Sequence, residues 1–224
     1  QYTMEIIFET IEFILAKLIT NNDENIINSL IEVLITALPD IPTHRRLAIF
    51  QRLTMVLQKR VKLSTIVSKL ITSPAAKASK ISKQSLISLS VAIHVTNEMN
   101  IQFGSLNDLL DNLLKDFTTD KQIHLRRQFS FSDNIKRIEK ENMANFVLKL
   151  VSNEDFVNLV ARQDWKDIQV CFEAFINKLM NLIEQFIICG NDENFKEFSN
   201  YYKRLNNIFY QILLKVLLFQ NIYF

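Results

Sequence analysis

Ala37-Leu38-Pro39-Asp40-Ile41-Pro42-Thr43-His44-Arg45-Arg46-Leu47-Ala48-Ile49-Phe50-Gln51-Arg52-Leu53 carries two helix signals within 17 residues. Pro39 cannot donate a backbone hydrogen bond, so it stops a helix arriving from Ile27, Leu30, Ile31, Leu34 and Leu38. Pro42 stands just before a new start, with Thr43 expected as its cap. The next helix uses Leu47, Phe50, Leu53, Thr54 and Leu57 as its apolar stripe. His44, Arg45 and Arg46 then fall in an exposed first turn. A helix, a short turn and a second helix are the unit from which the rest of the chain can be read.

Working toward the N-terminus, Ile7, Ile11, Ile14, Leu15 and Leu18 recur at spacings of three and four, with Glu5, Glu9 and Glu12 between them. Asn21, Asn22 and Asp23 break that run. Working toward the C-terminus, further helices are expected over 61–72, 85–97 and 104–116, the last after a cap at Ser105. Three longer helical stretches follow over 135–151, 155–188 with a break near Asp164, and 192–218. Gly190 suits the position after a helix end, and Asn191 or Asp192 the next cap. Mobile connections are expected near 73–82, rich in Ser, Ala and Lys, and near the polar stretch 118–134.

Composition agrees. Among 224 residues there are 2 Gly and 3 Pro, too few for strands that need a turn every ~8–12 residues. The 48% hydrophobic content is enough to bury a core as one domain or a short array. About ten helices in antiparallel succession give an all-α fold, a bundle or a solenoid of helix pairs. The pair length of about 40 residues falls in the HEAT and armadillo range, which favours the α-solenoid. The chain begins at Gln1 rather than Met, and residues 1–224 read as a single repeat segment of a larger protein. No secretory signal is visible. The apolar stretch 208–224 is interrupted by Gln211, Lys215, Gln220 and Asn221, so it reads as a buried repeat helix rather than a membrane span.

Charge is unevenly spread under a net +2. Residues 1–40 hold one basic and seven acidic side chains. Residues 41–97 hold ten basic ones and no acidic one: Arg45, Arg46, Arg52, Lys59, Arg60, Lys62, Lys69, Lys77, Lys80 and Lys83. Such a window meets phosphates or an acidic protein surface, or it neutralises the acidic helices stacked beside it. Phe50 is its one aromatic ring and lies on the apolar stripe, so nucleic acid would be held through phosphates rather than by base stacking. His44, Arg45, Arg46, Arg52, Lys59, Arg60 and Lys62 are the candidate partner or RNA-phosphate contacts.

Catalytic signals are weak. His44, His94 and His124 each lack a second ligand at helical spacing, and Gly104 and Gly190 build no phosphate loop. Cys171 and Cys189 have no neighbouring ligands, so they read as buried free thiols of an intracellular protein rather than a metal site. Glu139 with Glu141, and Glu154 with Asp155, read as solvated or helix-start charges. Trp165 and Phe146, Phe156, Phe172, Phe175 and Phe186 recur at core spacing. No catalytic residue, metal ligand or cofactor is expected.

The stretch from Ala37 to Leu53 resembles the "IP-x-HRRL" helix start of the very large HEAT-repeat subunit of the small-subunit processome. This is the U-three snoRNP-associated protein ten, or HEAT repeat-containing protein one, family. Leu106 to Leu114, a polar loop, then Asn145-Phe146-Val147-Leu148-Lys149-Leu150-Val151-Ser152 leading to Phe156 is similar to the same family. Here the segment after Leu57 is basic where the family is apolar. The resemblance implies a nucleolar, non-enzymatic scaffold acting early in ribosome biogenesis on the 5′ external spacer of pre-rRNA, with a link to rRNA transcription. Its implied partners are other processome subunits, and pre-rRNA or snoRNA through phosphate contacts, with no small-molecule substrate and no membrane. The solenoid pattern alone equally suits a HEAT-repeat adaptor in a transport, phosphatase or chromatin complex.

Overall fold

The computed structural model describes residues 9, 10, 13, 17, 24–58, 61–73, 80–125, 131–191, 196 and 198–223. Among them are nine α-helices and no strand: α1 (Glu24–Ala37), α2 (Thr43–Leu57), α3 (Leu63–Thr72), α4 (Lys83–Val95), α5 (Met99–Leu125), α6 (Phe131–Val151), α7 (Glu154–Ala161), α8 (Trp165–Asn191) and α9 (Ser199–Tyr223). Of the helix expected on Ile7 to Leu18, Glu9, Thr10, Phe13 and Lys17 are described and helical, and the rest lies outside the described residues. No helix among the described residues is long and apolar enough to cross a membrane. The chain divides into two compact units, Gln1–Thr96 and Asn97–Phe224.

In the first unit, α1 runs into one turn of 3-10 helix, Leu38–Asp40, that contains Pro39. Leu38 is fully buried, and the Ile41 N–H closes the turn on the Leu38 carbonyl at 3.2 Å. The chain then enters α2 through Pro42, whose φ of −53° is already near the helical value. Thr43 is therefore the first helical residue and not the cap; no side chain caps this end, and the Pro42 carbonyl accepts the Arg45 N–H at 2.9 Å. The buried face of α2 is Ile49, Phe50, Leu53, Thr54 and Leu57. Leu47, expected to begin that face, is 36% exposed. It lies at the rim of the stripe, so Ile49 begins the buried row. The Thr54 hydroxyl donates to the Phe50 carbonyl at 2.7 Å, which satisfies it inside the core.

Helix α3 buries Leu63, Ile66, Val67, Leu70 and Ile71 and packs on α1 and α4, while α2 also packs on α4. Ser82 caps α4 by accepting the Ser85 N–H at 3.2 Å. His94 on α4 is completely buried, and that burial pushes its pKa from 6.5 down to about 3. Its imidazole is neutral around pH 7.

The second unit shows how its helices stack. The Ser199 hydroxyl bonds the Gly190 carbonyl at 2.8 Å, and Phe186 stacks on Tyr202 and Phe209 further along, so α8 and α9 are antiparallel. Phe103 meets Phe172 and Phe175, and Asp111 meets Lys178, so α5 runs parallel to α8. The Tyr201 hydroxyl points at the Arg137 carbonyl and Arg204 pairs with Glu141, so α6 runs parallel to α9. The antiparallel pair α8/α9 thus lies on α5/α6 helix for helix, which is how solenoid repeats share a core. The short α7 packs on α6 and α9; Asn153 caps it by accepting the Phe156 N–H at 3.1 Å.

Several local expectations need correction here. Helix α5 begins at Met99, five residues before Gly104, and Ser105 is buried within it rather than capping it. Residues 118–125 and 131–134 are helical where a loop was expected. No Gly or Pro occurs between Phe117 and Asn134, so polarity there does not break a helix. Gly190 is buried inside α8, which runs to Asn191. A Cβ there would lie 3.8 Å from Lys203 and Tyr202 side-chain carbons, so the glycine sits at the close approach of two helices. The expected break near Asp164 is found: its carboxylate accepts the Lys166 N–H at 3.1 Å as α8 begins.

Candidate partner-binding surface

The described part of the basic window lies on α2, α3, α4 and the residues just before them, and Lys77 lies outside the described residues. Because α2 turns Ile49, Phe50 and Leu53 inward, its other side presents Arg45 and Arg52, seven residues and two turns apart. His44 is exposed beside Arg45. Lys62 is exposed at the cap position of α3, on extended backbone. Lys59 and Arg60 lie outside the described residues.

Arg46 and Lys69 both bond to groups within the unit. The Arg46 guanidinium is half-buried; its Nε donates to the Ile41 carbonyl at 2.9 Å and an Nη to the Pro39 carbonyl at 3.5 Å. It folds back over the Pro39–Pro42 turn and supplies donors to carbonyls left after α1 ends. Arg46 is thus a brace of the turn, unlike the outward His44 and Arg45. Lys69 on α3 pairs with Glu32 on α1 at 3.2 Å, the two side chains being 33% and 38% exposed. This pair neutralises one cation of the basic window with a carboxylate of the acidic N-terminal stretch. Partial exposure screens it, so its contribution is at most ~1 kcal/mol.

Lys80 and Lys83 are also exposed, immediately around the cap of α4. They belong to the basic count but were not among the candidate contacts. The signal that would have found them is the helix start at Ser82, because residues beside a cap face solvent. Within the basic window, the exposed cations among the described residues are Arg45, Arg52, Lys62, Lys80 and Lys83, with His44.

Other chemistry is sparse. No group of three or more His, Cys, Asp or Glu side chains among the described residues could hold a metal ion. Glu154 and Asp155 occupy the first turn of α7 and are exposed, which places them favourably for the helix dipole. Cys189 is buried and Cys171 half-buried, both as free thiols. Phe146, Phe156, Phe172, Phe175 and Phe186 are all core residues.

The sequence matches the family model described as HEATR1-like, HEAT repeats, over residues 22–217. The chain belongs to this family. The matched span reaches from just before α1 into α9, so it covers every helix pair described above. No curated protein and no solved structure matches the chain. Membership accounts for the stacked antiparallel pairs, and HEAT-repeat scaffolds of this kind are generally non-catalytic. They act by presenting helix faces and turns to other molecules.

Proposed function

We propose that the chain is a non-catalytic scaffold segment in early ribosome biogenesis, serving small-subunit processome assembly and pre-18S rRNA processing in the nucleolus. The observation that carries this reading is the family match together with the Ile41-Pro42-Thr43-His44-Arg45-Arg46-Leu47 helix start. In this reading residues 1–224 form one repeat segment of a larger protein. The exposed apolar row of Tyr210, Leu214, Leu217 and Leu218 on α9, opposite its buried face, supports that view.

The outward cations of the first unit are its contact surface for phosphate or acidic protein. Arg45 and Arg52 offer planar donors suited to two oxygens of one phosphate, while Lys62, Lys80 and Lys83 act as point charges. The contacts are with other processome subunits, and with pre-rRNA or snoRNA through their backbones, without base readout.

Gentle purification of the tagged full-length protein, with identification of bound proteins and RNAs, tests the reading. Early processome subunits with 5′ spacer RNA are expected. A transport, phosphatase or chromatin assembly without pre-rRNA would overturn it and leave a HEAT-repeat adaptor.

A further inference from the structure

Around the start of α4 the sequence repeats one triplet: Lys77-Ala78-Ser79, Lys80-Ile81-Ser82, Lys83-Gln84-Ser85. Of the described positions, Lys80, Ser82, Lys83 and Ser85 are all exposed. Residues 80–82 precede the helix, and Ser82 holds an extended backbone, φ −64° and ψ 147°. Ser85 by contrast is already helical. Kinases that select basic substrates bind them extended and pair the flanking cations with acidic groups of their own. Ser82 has a lysine two residues before it and another directly after it.

From this arrangement we propose that Ser82 is a phosphorylation site for a basophilic serine kinase, and that its phosphate weakens the hold of the basic surface on polyanions. In the transfer step the Ser82 Oγ bonds to the γ-phosphorus of ATP and the bond to the β,γ-bridging oxygen breaks. ADP leaves, and the hydroxyl proton passes to the kinase's base. The product carries about −1.5 to −2 charge between Lys80 and Lys83. It is tolerated structurally, because an anion at a helix N-terminus is favoured by the aligned N–H groups. It also offsets most of the charge of the two lysines, which lowers affinity for a phosphate backbone.

The regulatory half of this proposal rests on the reading of the exposed cations as phosphate contacts. The test keeps the halves apart. The full chain is incubated with a purified basophilic kinase and Mg-ATP, and the modified residue is mapped by mass spectrometry. Ser82→Asn keeps a capping side chain but accepts no phosphate; a Lys80→Ala, Lys83→Ala variant removes the flanking charges. Phosphate on Ser82 is expected, absent in Ser82→Asn and several-fold slower in the lysine variant. No phosphate on Ser82, or a rate indifferent to the lysines, overturns the site. Binding of a single-stranded homopolymeric RNA is then compared before and after modification. A loss on the order of 10-fold is expected, and unchanged binding overturns the regulation. If the unmodified chain does not bind the RNA at all, the phosphate-contact reading and the regulation fail together, while the site stands on the mass spectra.

Discussion

Among the described residues, His94 should make stability fall as the pH is lowered. Its imidazole is completely buried in α4, and burial drops its pKa from 6.5 to about 3. Above pH 6.5 the ring is neutral in both the folded and the unfolded chain, so it contributes no pH dependence. Below that value the unfolded chain takes up a proton that the folded chain refuses. Stability therefore falls as pH falls, and the loss levels off near pH 3. Each pH unit in that window costs about 1.4 kcal/mol, so about 2 kcal/mol is lost by about pH 5. The assay is urea denaturation followed by helical circular dichroism, at about pH 7.5 and about pH 5, for the wild type and His94→Gln. Glutamine keeps polar capability without titrating, so its own destabilisation enters at both pH values and cancels. The wild type should lose about 2 kcal/mol more than the variant between the two conditions. Equal losses in both proteins would refute the reasoning, because they would show that His94 is not held neutral by burial.

Gly104 lies within α5, and a Cβ added there meets nothing within 4 Å. Gly104→Ala should therefore raise stability by ~0.5–1 kcal/mol, seen as a higher denaturation midpoint, since alanine loses less backbone entropy in a helix. Phe103 packs edge-on against Phe156, Phe172 and Phe175, at centroid distances of 6.0, 5.9 and 6.2 Å. Its replacement by alanine should cost ~3–5 kcal/mol in the same assay, whereas the exposed Leu47→Ala should cost ~0.5 kcal/mol or less. Arg45→Ala should leave the melting profile unchanged and weaken partner capture. Arg46→Ala should instead destabilise by ~1 kcal/mol through its lost bonds to the turn carbonyls, and an equal effect from both would contradict the assigned roles.

Much of the fold was legible in the letters because helices announce themselves locally. With 2 Gly in 224 residues, few positions can adopt tight-turn backbone, and apolar spacings of three and four leave little besides helix. The Pro39–Pro42 turn, the Asp164 break and the five core phenylalanines were readable for the same reason: each depends on residues within one or two helical turns. The segregation of ten cations into residues 41–97 was likewise a matter of counting.

What only the tertiary structure decided depends on neighbours distant in sequence. Gly104 looked like a helix start, since glycine alone costs helix stability, yet burial of Phe103 one residue earlier carries α5 through it. Gly190 was readable as a helix end, and the helix does stop at Asn191, but only the structure shows that it also lies against Tyr202 and Lys203 of the next helix. Leu47 belonged to the apolar stripe by spacing, but which edge of a stripe is covered depends on where the adjacent helices lie. The same holds for charge. Arg45 and Arg46 are adjacent in sequence, yet one faces outward while the other braces a turn through carbonyls five and seven residues back. Lys69 finds Glu32 across 37 residues, a pairing that no local pattern encodes. Sequence periodicity therefore determined which residues form helices and how the charges divide along the chain. Packing of one helix on another determined which of those charges face solvent and which, like Arg46, bond back to the chain.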